Sequence, residues 1–173
     1  AYAQAPQYQH LWLPGPGLRH LPLLLMPLVF ILLAAGVTAK NPTAVKGEDA
    51  LDRQDAVQGI LRVTRHPVQW AILLWAALHI LANGDLASLI FFGGFFILAA
   101  AGPFLIDRKL AAAQGARWER FAAATSNVPF AAILRGRQRL ALAEIGWRPV
   151  VIGLAAYVLV LALHPWLFGA SPG

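Results

Sequence analysis

Four apolar runs organise this chain, at 21–39, 68–83, 86–106 and 149–169, and two charged segments, 40–67 and 107–148, separate them. The first, third and last runs hold 19, 21 and 21 residues, enough for an α-helix to cross a hydrocarbon layer, which takes about 20. The second, about 16 residues, is short for a span by itself. Asn83, Gly84 and Asp85 follow it directly, and because Asn and Gly tolerate positive φ, an immediate reversal is expected there. The predicted fold is therefore all-α, a polytopic transmembrane helix bundle with four spans, making one membrane domain over residues 1–173. Pro22 falls at the start of the first run, where a missing N–H is harmless, while Pro27 lies inside and predicts a kink. Gly93, Gly94 and Gly102 predict close helix packing along the third run. Pro149 suits the first position of the last helix.

Composition supports a bilayer environment. Only 13% of residues are charged and 58% are hydrophobic, against about 25% charged in ordinary soluble domains. With no cysteine in the chain, disulfides and thiolate metal sites are excluded. The net charge of +6 raises the question of nucleic acid, but the placement of the charges answers it otherwise. Apart from Arg19, every Lys and Arg lies in 40–67 or 107–148. With four spans these two loops share one side, which the positive-inside rule makes cytoplasmic. The basic character is thus topology signal and contact with the lipid bilayer, not nucleic acid binding. Tyr2, Tyr8 and Trp12 in the Pro- and Gly-rich opening fit an interfacial aromatic belt. Within 107–125, Leu110, Ala113, Trp118 and Phe121 predict an amphipathic segment lying on the membrane surface.

Ionisable side chains at membrane depth are expensive and so mark candidate chemistry. His79 sits about four residues before the outward turn, and His164 about five from the end of the last run. At roughly 1.5 Å per helical residue, the two occupy similar depth, with His20 opening the first run on the same side. Neutral imidazole is a common metal and haem ligand, so the three suggest a ligand set. Histidines near an interface also serve simply as hydrogen-bond partners of headgroups, water or carbonyls, and sequence leaves both readings open. At the inner interface, Arg62, Arg65 and His66 are candidates to bind an anionic substrate or headgroup, with plain interfacial anchoring as the alternative. Asp107 beside Arg108 and Lys109 predicts a local ion-paired cluster. No paired carboxylates, no serine beside a base, no phosphate-binding glycine loop and no H-E-x-x-H motif are present, so catalytic residues stay unassigned.

Three stretches carry a family resemblance: GILRVTRHP at 59–67, LWAALHILANG at 74–84, and DRKLAAAQGARWERFAAATSNVPFAAILRGRQRL at 107–140. Together they resemble the NnrU family, a group that includes the 15-cis-zeta-carotene isomerases. The block TS-x-VPFAAI-x-x-GRQ is the most specific part, and the opening resembles the bacterial branch. In that branch two earlier spans precede this segment, so the chain reads as the last four of about six. The resemblance implies a multi-pass protein of the bacterial inner membrane that holds a b-type haem. The same resemblance implies redox or cis-trans isomerisation chemistry on a lipophilic substrate, or a link to nitrogen-oxide respiration. One family haem ligand, and so the metal ligand, falls on His79; the other lies in an earlier helix, with His164 the alternative within this chain. The isomerases carry a cysteine three residues before that histidine, implicated in ligand switching; here it is Ala76, which removes that switch. A wider resemblance reaches the isoprenylcysteine methyltransferases through Arg65-His66-Pro67. Gln69, Ala71 and Asp107-Arg108 replace the tyrosine, glycine and glutamate pair expected there, so the methyl-donor site is eroded. From a different functional class, the alternative is a non-catalytic membrane subunit packed into a larger respiratory or photosynthetic complex.

Overall fold

The computed structural model describes residues 9–169; Tyr2 and Tyr8 of the expected aromatic belt lie outside them. The elements run α1 (Pro16–Thr38), a 3-10 turn (Glu48–Asp52), α2 (Ile60–Val63), α3 (Pro67–Asn83), α4 (Leu86–Gln114), α5 (Ala116–Ala124), α6 (Ala131–Leu134), α7 (Leu142–Ile145) and α8 (Trp147–Phe168). Among the described residues the only extended pairing is a single bridge between His10 and Asp85. The protein is a helical membrane bundle. Three helices, α1, α4 and α8, are long and apolar enough to cross a membrane, and α3 is a shorter apolar helix of 17 residues.

The helix ends follow local chemistry. Pro67 opens α3 in its first turn, and Gly84 closes it in the left-handed conformation at φ 70°. A Cβ at Gly84 would also lie 2.3 Å from the Trp12 carbonyl oxygen, so the turn requires glycine twice over. Asp85 then caps α4 by accepting a 2.8 Å hydrogen bond from the Ser88 amide. The expected reversal at Asn83-Gly84-Asp85 is therefore present, with the Leu11 and Trp12 amides bonded to the Gly84 carbonyl.

Several boundaries differ from expectation. α1 begins at Pro16, so Pro22 lies inside the helix with Pro27; no strong breaker separates Gly17 from Leu21. α8 begins at Trp147, which places Pro149 third in the helix, still within the turn whose amides have no intrahelical acceptor. α4 runs eight residues past the apolar run, to Gln114. Asp107–Gln114 are good helix formers, and nothing stops them until Gly115.

In packing, α1 lies between α3 and α8, and α4 flanks α3. The expected glycines are not the ones that bring helices together. A Cβ at Gly93 or Gly94 would meet nothing within 4 Å, and at Gly102 only ordinary contact with Gln69. Gly36 of α1 meets Pro67 and Val68 of α3 closely, and Gly153 of α8 is tighter still: its Cβ would lie 2.6 Å from the Ile31 Cα of α1. Depth along the helices separates two cores. Met26, Val29, Ala71 and Leu78 join α1 and α3 in the middle of the bundle. At the end carrying the basic segments, Ala35, Leu51, Ile60, Leu61, Val63, Leu110, Trp118 and Phe121 form a second core. The apolar face of α5 is thus buried inside the protein, and Leu110, Trp118 and Phe121 are not free to rest on a membrane surface; Ala113 is exposed. The linker 40–61 folds back over this face through Leu51 and supplies the cover that sequence pattern could not reveal.

Candidate functional site: a histidine in an aromatic wall and a buried charge junction

Helix periodicity builds the first site. Trp75 and His79 are four apart on α3, hence on one face; Phe92 and Phe95 meet them from α4, and Phe91 packs behind against those two rings. The His79 ring stacks on Phe92 with centroids 4.5 Å apart and planes 21° from parallel, and lies 5.0 Å from the Trp75 ring. Its Nδ1 is 2.8 Å from the Trp75 carbonyl oxygen. A carbonyl can only accept, so Nδ1 carries the proton and Nε2 presents the lone pair. His79 is half-buried.

The other outer histidines are placed differently. His20 is exposed and puts its own Nδ1 2.7 Å from the Pro16 carbonyl oxygen. His164 lies 4.8 Å from Phe168, ring to ring. Among the described residues no three His, Cys, Asp or Glu side chains gather to hold a metal ion, so His20, His79 and His164 do not form one ligand cluster. Ala76, on the same helix, is fully buried in the helix packing.

The second site joins the basic ends of α3 and α4. Asp107 reaches both residues that precede Pro67. Its Oδ1 is 2.7 Å from His66 Nε2, and Arg65 Nε lies 3.1 Å from each carboxylate oxygen, with Arg65 Nη2 also donating to Oδ2. Side-chain exposure is 14% for Arg65, 19% for Asp107 and 0% for His66. Arg65 also sits over the Trp118 ring, 5.7 Å from its centroid. The contact with the Asp107 carboxylate places the His66 proton on Nε2 in the neutral ring, which leaves Nδ1 buried without a partner among the described residues.

The family-like motif blocks interlock around this junction. Thr64 Oγ1 and Trp70 Nε1 both donate to the Asn127 carbonyl, at 2.6 and 2.9 Å. The Arg65 amide donates to the Ser126 carbonyl, and the Phe130 amide to the Val63 carbonyl, each at 2.9 Å. From the linker, Asn41 Nδ2 and Thr43 Oγ1 donate to the Arg65 carbonyl. Ser126-Asn127 therefore works as a backbone clamp on Thr64-Arg65.

Sequence placed Arg62, Arg65 and His66 in one anion-binding group, and the structure divides them. Arg65 and His66 use their donors on Asp107. Arg62 turns away to grip Glu144 with two parallel bonds, Nε–Oε2 at 2.7 Å and Nη2–Oε1 at 3.1 Å, and to donate to Gln138. Asp107 does not pair with Arg108 or Lys109, because the helix turns those two side chains to the exposed surface. Its partners lie 41 and 42 residues earlier in the chain. Sequence pattern marks Asp107, an acidic residue at an apolar-polar boundary, but assigns it to its chain neighbours, and it carries no signal for Asn127 or Glu144.

Glu144 also accepts from the Gly59 amide at 3.0 Å. The bonds from Arg62, then that amide, hold its carboxyl below the ordinary 4.5. A depressed folded value contributes stability that is complete above about pH 4.5 and lost as pH falls through the folded value. Comparing thermal unfolding of the protein and Glu144→Gln from about pH 6 to about pH 3 should show the steeper acid loss in the unaltered protein. Identical slopes would remove the pair from the acid response.

A model of the NnrU protein family matches residues 1–172. The chain belongs to that family. This NnrU protein is 34% identical over 116 residues to the 15-cis-zeta-carotene isomerase, chloroplastic, of Arabidopsis thaliana, an overlap covering 65% of this chain and 32% of that one. It is 35% identical over 82 residues to the enzyme of the same name from Zea mays, covering 47% and 22% respectively. The chain therefore spans about a third or less of the curated relatives it matches. No solved structure matches it. Both relatives are chloroplastic; for this NnrU protein the apolar helices establish a multi-pass membrane protein in contact with lipid.

Proposed function

We propose that this NnrU protein holds a b-type haem through Nε2 of His79 and takes part in cis-trans isomerisation of a lipophilic polyene. The observation that carries the reading is the hydrogen bond from His79 Nδ1–H to the Trp75 carbonyl. Metal-ligating histidines usually donate their second ring nitrogen to a carbonyl or carboxylate, which fixes the tautomer and raises the basicity of the other. His79 is built that way, and its Nε2 has no partner among the described residues. The donor set also suits the group, since a single imidazole among aromatic rings is a familiar environment for haem and a poor one for a bare divalent ion.

When bound, haem would supply one-electron chemistry at its iron. The chain's own residues do the rest. The Trp75 carbonyl orients the imidazole, and Phe92 stacks against it and limits its rotation. Phe91 and Phe95, both exposed on α4, extend the apolar wall towards the bilayer, from which a lipophilic substrate would come. The isomerase names of the two relatives favour the polyene; redox chemistry linked to nitrogen-oxide respiration in a bacterial inner membrane is the other substrate class to assay. His164, near the outer end of the last helix, would be this chain's own candidate for a second ligand.

The test is haem content of the detergent-purified full-length protein, read from a reduced-minus-oxidised spectrum. His79→Ala should retain membrane insertion and lose at least about tenfold of the haem per chain. Unchanged haem would end the assignment. Colourless protein that co-purifies stoichiometrically with a larger complex would instead favour the role of a membrane subunit.

A further inference from the structure

We infer that the basic end of the bundle contains a binding site for a phosphate-bearing anion, separate from the histidine in the aromatic wall. A cavity of about 270 Å³ lies between the linker after the 3-10 turn, α2, α5 and the segment following α6, and Arg53, Gln54, Arg62, Arg117, Arg120 and Gln138 line it. No carboxylate is among its lining residues. Its size falls just below the roughly 300–1,000 Å³ of pockets for drug-sized ligands, which suits a single small anion.

The donors available inside it decide the chemistry. Three of the guanidinium groups are partly committed from outside the cavity wall: Arg53 to Asp55, Arg62 to Glu144, and Arg117 to Asp52. A guanidinium has five N–H donors, so one carboxylate does not exhaust it. Arg117 spends Nη1 on Gln114 and Nη2 on Asp52, and its Nε–H is buried with no acceptor among the described residues. Arg120 has no ion pair or hydrogen bond among the described residues. A buried donor left unmade is costly, and a charged one more so. The cavity therefore carries a net positive charge located at Arg120, one turn after Arg117 on the same helix.

Arginines brought to one cavity from separate chain segments suit an oxyanion with oxygens pointing in several directions, which is phosphate geometry. The two basic segments share this end of the bundle, the end the positive-inside rule assigns to the anionic leaflet. Two sources offer the same chemistry: a phospholipid headgroup and free phosphate.

The experiment uses the whole chain, delipidated in detergent, with Arg120→Gln as the variant and Arg108→Gln as a control on an exposed arginine outside the cavity. Arg120 has no partner to lose, so its replacement should leave the fold intact. Inorganic phosphate is titrated against intrinsic tryptophan fluorescence, and phosphatidylglycerol or phosphatidylcholine adducts are counted by native mass spectrometry. Phosphate binding that weakens about tenfold in Arg120→Gln and not in Arg108→Gln supports the site with free phosphate as its ligand. Phosphatidylglycerol adducts lost in Arg120→Gln alone, without a phosphate response, support it with a lipid headgroup. Absence of both responses, or equal losses in the two variants, overturns it.

Discussion

Asp107→Asn is expected to destabilise the protein by about 3 kcal/mol, the scale of breaking a buried ion pair from one side. The carboxylate is the shared acceptor for His66, with a fully buried side chain, and for Arg65, 14% exposed. An asparagine of the same shape keeps one oxygen but cannot neutralise the guanidinium, which stays held over Trp118. The damage should spread, because the Arg65 amide and the neighbouring Thr64 hydroxyl also hold the backbone carbonyls of Ser126 and Asn127. Detergent-induced unfolding measures the cost directly. Asp107→Glu should recover part of it, and a variant as stable as the parent protein would show that the junction is not structural.

Gly153→Ala is expected to cost about 1–3 kcal/mol, the usual range for overpacking a filled interface. The new methyl would lie 2.6 and 2.7 Å from the Cα and N of Ile31 and 2.9 Å from the carbonyl carbon of Phe30. These are backbone atoms of α1 and have no rotamer to escape into, so α8 has to move away as a unit. The movement would also stretch the 3.1 Å hydrogen bond from the Tyr157 hydroxyl to the Leu23 carbonyl, which ties the same two helices. Gly94→Ala is the matched control. With nothing within 4 Å of the added carbon, it should be neutral or gain up to about 1 kcal/mol from helix propensity. Equal effects in the two variants, measured by the same unfolding assay, would show that propensity rather than close approach governs these glycines.

The two outcomes bear on what could be read in advance. Apolar runs near 20 residues determine membrane helices because a helix satisfies its own backbone inside lipid; the three runs of that length appear as α1, α4 and α8, and the shorter one as the 17-residue helix α3. Asn83-Gly84-Asp85 determined its turn through local conformational preference alone. Which glycine sits in an interface was not legible, since Gly93, Gly94 and Gly153 all lie in apolar helices and only the neighbouring helix distinguishes them.

The same holds for the sites. His79 stood out as an ionisable residue in an apolar run, and its i−4 carbonyl partner follows from helix geometry; its stacking on Phe92 does not, because that depends on how α4 meets α3. Arg62, Arg65 and His66 were legible as a basic group at a helix entrance, but their partners were not. Hydrophobic periodicity and charge counting are local or additive quantities. A contact between His66 and Asp107, or between Arg62 and Glu144, is set by where the connecting helices bring the chain back. By itself the sequence determined the membrane helices, the side on which the charges gather and the histidine at depth. Only the tertiary structure decided that α5 faces inward, that Asp107 closes the junction of α3 with α4, and that four arginines from three segments share one cavity, because each of those depends on packing between distant parts of the chain.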